Sequence, residues 1–551
     1  MFYLSTVLLS VFITVSLIPV MTKLAERFQM VDLPDPRKVH TRPVPRIGGF
    51  AMALGAFVPV ILWTKTDDFV KAYLAGSGTL VLFGLVDDMK GLGYKAKFAG
   101  QIIAALIAVF FGGVQIKSLG SLLPGAMELP EWLAVSLSIV AIVGVTNAIN
   151  LADGLDGLAG GISLLGFCCI GYLAYLAGND PIIILSLSMA GAIFGFLRYN
   201  TYPASLFMGD TGSQLLGFSA IVLAIQITQS NTPFSPVLPL LILGFPVLDT
   251  LTVMVERVRE GRSLFSPDKN HFHHRLIRIG LSHTEAVFAI YLVQAVMIVS
   301  AILFKYYSDW MLVASYTLFS ALIITAFTVA DRRGFQFQRY PLIDYALKGR
   351  LRKIKDENWI IRISFPLSKV IIPLVFLFSC LLPAHLPGYV SVIGVFFIVF
   401  ILAVRVFAKN HMDFCLRLVL YLSIPLVLYF IEEGRVSWIS EQLFTLYNFS
   451  FGLVAVFVLL TVKLTRRTKG FRMTTMDFLI IFIAAVVPNL PDQSIQSHHL
   501  GLLTVKIIVM LFSCEVVIKE VRERFNGLTV STLLALILIS VRGALGQGIG
   551  L

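Results

Sequence analysis

WLAVSLSIVAIVGVTNAINLADGLDGL, Trp132 to Leu158, decides the fold of this chain. Its first half, through Val145, holds no charged residue and is long enough, with the apolar residues beyond it, to cross a bilayer as a helix. Its second half places Asn147, Asn150, Asp153 and Asp156 where that helix meets its boundary. Carboxylates at such depth are costly and mark a site more often than a scaffold.

Runs of the same kind recur from end to end. The chain has 551 residues, 57% of them hydrophobic and only 14% charged, and its mean hydropathy is +0.85. That composition excludes a soluble domain. The runs are continuous rather than alternating, which excludes a transmembrane β-barrel. An all-α, polytopic membrane helical bundle is predicted. Eleven spans fall near 2–22, 47–64, 72–86, 98–114, 132–149, 158–177, 181–197, 212–229, 236–255, 285–304 and 310–330. About seven more fall near 365–383, 389–407, 416–431, 447–462, 476–490, 500–514 and 528–545. The expected organisation is a membrane domain over 1–330, a basic linker over 331–364, and a C-terminal multi-span extension over 365–551 in which no constellation of chemical groups stands out. Residues 1–22 carry no charge and no basic n-region, so they read as a retained helix rather than a cleaved signal.

The net charge of +12 does not point to nucleic acid. Within residues 1–364, loops on the side that the first span leads to carry 25 Lys/Arg, and loops on the other side carry 4. By the positive-inside rule the richer side is cytoplasmic. The five cysteines have neither metal-ligand nor disulfide-framework spacing and read as small hydrophobes.

Five polar clusters come directly after spans one, three, five, seven and nine, which places all of them on that one face. The first, DLPDPRKVHTRPVPRIGG over 32–49, combines Arg37, Lys38, His40 and Arg46 with prolines that rule out a regular helix. Fixed cations there suit phosphate, against the bland reading of an ordinary basic loop. The second, GLVDDMKGL over 84–92, sets Asp87 beside Asp88, with Lys97 nearby. Adjacent carboxylates repel unless a cation intervenes, and Mg²⁺ is the natural one, although an acid pair capping a helix is the plain alternative. In the third, Asn147, Asn150, Asp153 and Asp156 are spaced by three and drift about 60° per step on an ideal helix. They face one cavity only if the helix breaks, which Gly154 and Gly157 permit. The fourth, LFMGDTGS over 206–213, flanks Asp210 with glycines. The fifth, SPDKNHFHHR over 266–275, crowds His271, His273 and His274 in a spacing that matches no structural zinc site, so hydrogen bonding to phosphate or sugar is preferred to metal ligation.

In this order the motifs VDDM (86–89), NAINLADGLDGLA (147–159), FMGDTGS (207–213) and HFHH (271–274) resemble the polyprenyl-phosphate N-acetylhexosamine-1-phosphate transferases, glycosyltransferase family 4. That family also contains the phospho-MurNAc-pentapeptide translocase. The H-x-H-H form and the RKVH and PRIGG pieces look like the WecA/TagO-type branch, which favours UDP-GlcNAc as donor. The resemblance covers roughly residues 1–330. It implies transfer of a sugar-1-phosphate from a UDP-N-acetylhexosamine to undecaprenyl phosphate, with Mg²⁺ (Mn²⁺ as the alternative ion), in the bacterial cytoplasmic membrane, as the first step of an envelope polysaccharide. It implies metal ligation by Asp210, with Asp87, Asp88 and Asn150. Asp87 and Asp88 would deprotonate or orient the acceptor, Asn147, Asn150, Asp153 and Asp156 would bind nucleotide-sugar and metal, and Asp153 and Asp156 count with the catalytic acids. Arg37, Lys38, His40, Arg46, Lys97, His271, His273 and His274 would hold phosphate or sugar. A homodimer and envelope-polymer glycosyltransferases stay open as partners. The rival class, a transporter or flippase, predicts groups near the bilayer midplane rather than at one face.

Overall fold

The computed structural model describes residues 2–32, 43–263, 270–336, 359–408, 411–464, 500–520 and 526–545. Among them the regular structure is helical apart from a strand pair, β1 (Val31–Asp32) against β2 (Val44–Pro45). Thirteen helices among the described residues are long and apolar enough to cross a membrane, and the protein is a multi-pass membrane protein. The chain divides into two compact units, the first being Met1–Gln338 and the second nearly all of residues 339–551.

The first unit contains α1 (Phe2–Arg27), α2 (Gly48–Trp63), α3 (Asp68–Lys90), α4 (Tyr94–Leu106, prolonged by a π turn to Phe111), α5 (Glu131–Ala152), α6 (Leu158–Leu176) and α7 (Asp180–Asn200). It continues with α8 (Gly209–Gln229), α9 (Leu238–Ile242), α10 (Gly244–Arg259), α11 (Phe272–Arg278), α12 (His283–Phe304) and α13 (Asp309–Arg332). All eleven expected spans have a counterpart, but the ninth is divided. It parts at Leu243 between α9 and α10. Pro246 has no N–H to offer the carbonyl of Ile242 and crowds it. The buried amide of Gln294 repairs the gap: its Nε2 donates to Ile242 O at 2.7 Å, and its Oε1 accepts from Phe245 N at 3.1 Å.

Helix α8 is the axis of this unit. Its apolar window is 94% buried, against 17% for α13. Glycines bring three neighbours onto its first half, the packing that membrane helices use where apolar surface alone gives no preference. A Cβ on Gly49 of α2 would lie 2.1 Å from Gly212 N, and one on Gly84 of α3 would lie 2.4 Å from Thr211 Cα. One on Gly217 of α8 itself would lie 2.6 Å from Thr146 Cα of α5. The segment after β2 completes the grip. Phe207 N donates to Pro45 O at 2.8 Å, and Gly48 N and Gly49 N donate to Phe207 O and Met208 O, both at 2.9 Å.

The second unit holds α14 (Trp359–Leu381), α15 (Gly388–Phe407), α16 (Met412–Glu433), α17 (Glu441–Leu464), α18 (Leu500–Glu520) and α19 (Asn526–Leu545). Six of the seven expected spans are thus seen, and the one near 476–490 lies outside the described residues. The unit has its own apolar core, with Ile372, Phe376, Ile424, Val454 and Met510 among its members. Its buried charges are paired: Lys506 Nζ lies 2.6 Å from Glu432 Oε1, and Arg417 Nε lies 3.0 Å from Glu515 Oε2.

Candidate active site

The site forms where α3, α4, α5 and α8 begin or end together. Helix α3 stops at Gly91, which takes the left-handed conformation (φ 66°) that lets the chain turn back into α4. That turn folds Lys97 over the acids. Its Nζ lies 2.7 Å from Asp87 Oδ2 and 2.6 Å from Asp210 Oδ2. The other oxygen of Asp87 accepts from Leu92 N at 2.5 Å.

Asp88 does different work. It accepts from Asp210 N at 3.0 Å, Thr211 N at 3.1 Å and Thr211 Oγ1 at 2.7 Å. Both its oxygens therefore sit on the unpaired N–H groups that open α8, where a negative charge is most stabilising. Gly209 must be glycine twice over: its φ is +69°, and a Cβ there would lie 2.4 Å from Asp88 Oδ2. Asn150, one turn from the end of α5, donates to Asp210 Oδ1 and, at 2.7 Å, to Ser213 Oγ.

The acids are short of cations. Ligand oxygens of Asp87, Asp88 and Asp210 all lie within 4.8 Å of one another, and Lys97 is the cation that bridges two of them. One ammonium does not balance three carboxylates, and the donor set is all hard oxygen. That is the environment Mg²⁺ takes, so these residues fit a divalent ion.

Helix α5 ends at Ala152 and α6 starts at Leu158, so the acidic motif is a break between helices, as its glycines predict. Only Gly157 has a positive φ (82°). Gly154 has another reason: a Cβ there would lie 2.3 Å from His273 Nε2, so its absence lets α11 close on the loop. Asp156 is committed to the next loop, accepting from Ala204 N at 2.9 Å. Asp153 is half-buried; its N–H donates to Asn150 O at 3.2 Å, and its carboxyl has no hydrogen-bond partner among the described residues. Burial, helped by the charges of Asp210, Asp156 and Asp88, pushes its carboxyl up to about 7. The Asn147 side chain is likewise half-buried without a hydrogen-bond partner among the described residues.

The histidines separate by role. His273 faces the acidic loop, and burial, helped by His274, pushes it down to about 3, so it is a neutral donor and acceptor rather than a cation. His274 lies tilted against it with ring centroids 4.2 Å apart. His271, stacked on the His273 ring at 5.8 Å, is held by Asp249: its Nδ1 meets Asp249 Oδ2 at 2.8 Å, and the other Asp249 oxygen accepts from Phe272 N at 2.8 Å. Arg46 pairs with Asp32. Arg37, Lys38 and His40 lie outside the described residues. Asp249, Asn200 and Tyr291 belong to none of the polar clusters that stand out in the sequence.

The model of glycosyl transferase family 4 matches residues 70–228, which include every carboxylate of the site. A probable undecaprenyl-phosphate N-acetylglucosaminyl 1-phosphate transferase of Bacillus subtilis is 37% identical over 328 residues, 58% of this chain and 89% of that protein. This chain belongs to glycosyl transferase family 4. Other members of the family behave alike in comparison with it. An undecaprenyl-phosphate alpha-N-acetylglucosaminyl 1-phosphate transferase of Escherichia coli O157:H7 is 31% identical over 358 residues, 63% of this chain and 96% of that protein. A decaprenyl-phosphate N-acetylglucosaminephosphotransferase of Mycobacterium leprae is 37% identical over 304 residues, 49% of this chain and 75% of that protein.

Proposed function

We propose that this protein transfers GlcNAc-1-phosphate from UDP-GlcNAc to undecaprenyl phosphate at the cytoplasmic face of a bacterial inner membrane, releasing UMP and starting an envelope polysaccharide. The observation that carries this reading is the group of three carboxylates within 4.8 Å, two of them bridged by one lysine, with the buried carboxyl of Asp153 under their charge. An acid-rich, cation-poor site at one end of the helices suits a diphosphate held with a metal. A transporter would set its groups near the bilayer midplane instead. The names of the relatives from Bacillus subtilis and Escherichia coli point to the same donor sugar and acceptor.

In the reaction an oxygen of the lipid phosphate attacks the β-phosphorus of the UDP-sugar. One P–O bond forms, the P–O bond to the bridging oxygen breaks, and that oxygen leaves with UMP. Asp87, Asp210 and the Asn150 amide oxygen would hold Mg²⁺, which when bound neutralises charge building on the leaving diphosphate oxygen. Lys97 keeps Asp87 and Asp210 at one spacing. Asp88, read from the sequence as deprotonating or orienting the acceptor and as a metal ligand, has hydrogen bonds at both oxygens and holds the start of α8 in place. Asp153 is the carboxylate free to act on substrate. With a pKa near that of a phosphate monoester's second ionisation, it can take the proton from a monoprotonated acceptor. His273, neutral and against the loop, can hydrogen-bond the donor.

The test is UMP release by the purified protein from UDP-GlcNAc, with undecaprenyl phosphate and Mg²⁺, against UDP-GalNAc and UDP-MurNAc-pentapeptide. No UMP from any donor with intact protein overturns the proposal. A burst of UMP without acceptor would replace direct displacement by a covalent intermediate.

A further inference from the structure

The geometry points to Asn200 and Tyr291 as positioning residues that lock the acidic loop after α5 and the loop leading into Asp210 into one frame. Asn200 is the last residue of α7 and is 2% exposed. Its Oδ1 accepts from Gly157 N at 3.0 Å, and its Nδ2 donates to Leu206 O at 2.9 Å. The amide orientation is fixed by chemistry: only the oxygen can meet a backbone N–H, and only the nitrogen can meet a carbonyl. Gly157 closes the loop that carries Asp153 and Asp156. Leu206 lies near the end of the loop that leads into Asp210. One side chain therefore spans both.

Tyr291, buried on α12, holds the far side of the same glycine. Its hydroxyl donates to Gly157 O at 2.5 Å. The peptide units on either side of Gly157 are thus gripped by two different helices. Gly161 makes room for this, since a Cβ there would lie 2.0 Å from the Tyr291 hydroxyl. Gly157 itself sits at φ 82°, a conformation that glycine adopts freely and so also leaves easily. A loop of this kind stays in place only if its polar groups are held from outside. Asp156 adds a parallel tie through Ala204 N at 2.9 Å, but it is itself one of the acids being placed.

This inference rests on the proposed transfer reaction for its kinetic readout only. The experiment compares Asn200→Ala, Asn200→Asp and Tyr291→Phe with the wild type, measuring UMP release, thermal midpoint and amide hydrogen exchange. Asn200→Asp keeps an acceptor for Gly157 N–H but loses the donor to Leu206 O. Tyr291→Phe keeps the ring that fills the space beside Gly161. A site loosened by about 1 Å loses about 100-fold in rate. Asn200→Ala and Asn200→Asp are therefore expected to lower kcat by about 10- to 100-fold, and Tyr291→Phe by about fivefold, with donor KM within about threefold of wild type. In Asn200→Ala, exchange is expected to rise together in 153–157 and 206–209. In Tyr291→Phe it is expected to rise in 153–157 alone. A purely structural role would lower the thermal midpoint without this paired pattern. Wild-type exchange at 153–157 in both folded variants, or wild-type kcat in Asn200→Ala, overturns the inference. Absence of UMP release by the wild type would defeat the proposed reaction and leave the exchange result standing.

Discussion

Lys97 is the residue on which the electrostatics of the site turn. Its ammonium lies within 2.7 Å of two carboxylates on different helices, with a third acid beside them. Replacing it by methionine keeps most of the stem and removes the one charge that offsets the acids. Lys97→Met is expected to lower kcat by about 100-fold or more, the scale for loss of a preorganised charged group, as measured by UMP release. Lys97→Arg keeps the charge but presents it as a planar fork, which suits one carboxylate face-on rather than two from different directions, so it is expected to rescue poorly. Asp153 gives a pH test of the same charge excess. Its folded pKa of about 7 exceeds the ordinary aspartate value of 3.8. Between those values the folded protein holds a proton that the unfolded chain has released. The stabilisation is complete below the unfolded value and is lost as pH rises through about 7. With divalent ions chelated, the thermal midpoint is expected to fall as pH rises from about 4 to about 7 and to level off above, and Asp153→Asn is expected to flatten that dependence. An equally steep fall in the variant would assign the proton elsewhere. His273 runs the other way. Held near 3 by burial, its neutral form stabilises the fold above the unfolded value of 6.5, and that contribution is lost as pH falls from there toward 3.

At the scale of elements, the site is placed by backbone contact more than by side-chain bulk. Helix α3 contains an internal control for this. A Cβ on Gly84 would collide with Thr211 Cα at 2.4 Å, whereas one on Gly78, two turns earlier, meets nothing within 4 Å. Gly84→Ala must push α3 off the start of α8, and with it the Asp88 carboxylate off the N–H groups of Asp210 and Thr211. A cost of about 1–3 kcal/mol and a large loss of activity are expected. Gly78→Ala is expected to leave activity unchanged and, by helix propensity, to match or exceed wild-type stability. Unchanged activity in Gly84→Ala would show that the contact can relax. The same elements show what can be read from sequence. The break after α5 was legible, because Asn, Asp and Gly at the end of an apolar run are local signals. So was the meeting of Asp87, Asn150 and Asp210, and of Gly154 with His273, because span parity depends only on order along the chain. The break before α10 was not, since Pro246 matters through Gln294 on another helix. Asn200 and Asp249 were missed for the same reason: their partners are Gly157, Leu206 and His271, reached only through the fold. The separate fates of Asp87 and Asp88 also had no local sign, because adjacent residues on a helix point about 100° apart and their surroundings differ.

For the whole molecule, the question is what the second unit contributes to chemistry placed wholly in the first. The Bacillus subtilis and Escherichia coli relatives are 89% and 96% spanned by alignments that use only 58% and 63% of this chain. A polypeptide ending before Trp359 therefore contains every acid, amide and histidine placed in the site. It is expected to retain UMP release within about threefold, whereas loss of catalysis would show that α14–α19 complete the active fold. A full-length variant asks the same question without removing helices. Lys506 is 1% exposed, pairs with Glu432 at 2.6 Å, and lies 5.2 Å from the Phe444 ring and 5.5 Å from that of Tyr447. Lys506→Met strands Glu432 as an unpaired buried acid, at a cost of about 3–5 kcal/mol. Adding Glu432→Leu removes the stranded charge and is expected to recover most of that loss. The expected result is a lower thermal midpoint for Lys506→Met, its return in the double variant, and the same kcat for UMP release in all three proteins below the midpoint. A parallel fall of kcat in Lys506→Met, recovered in the double variant, would instead tie the integrity of the second unit to catalysis in the first.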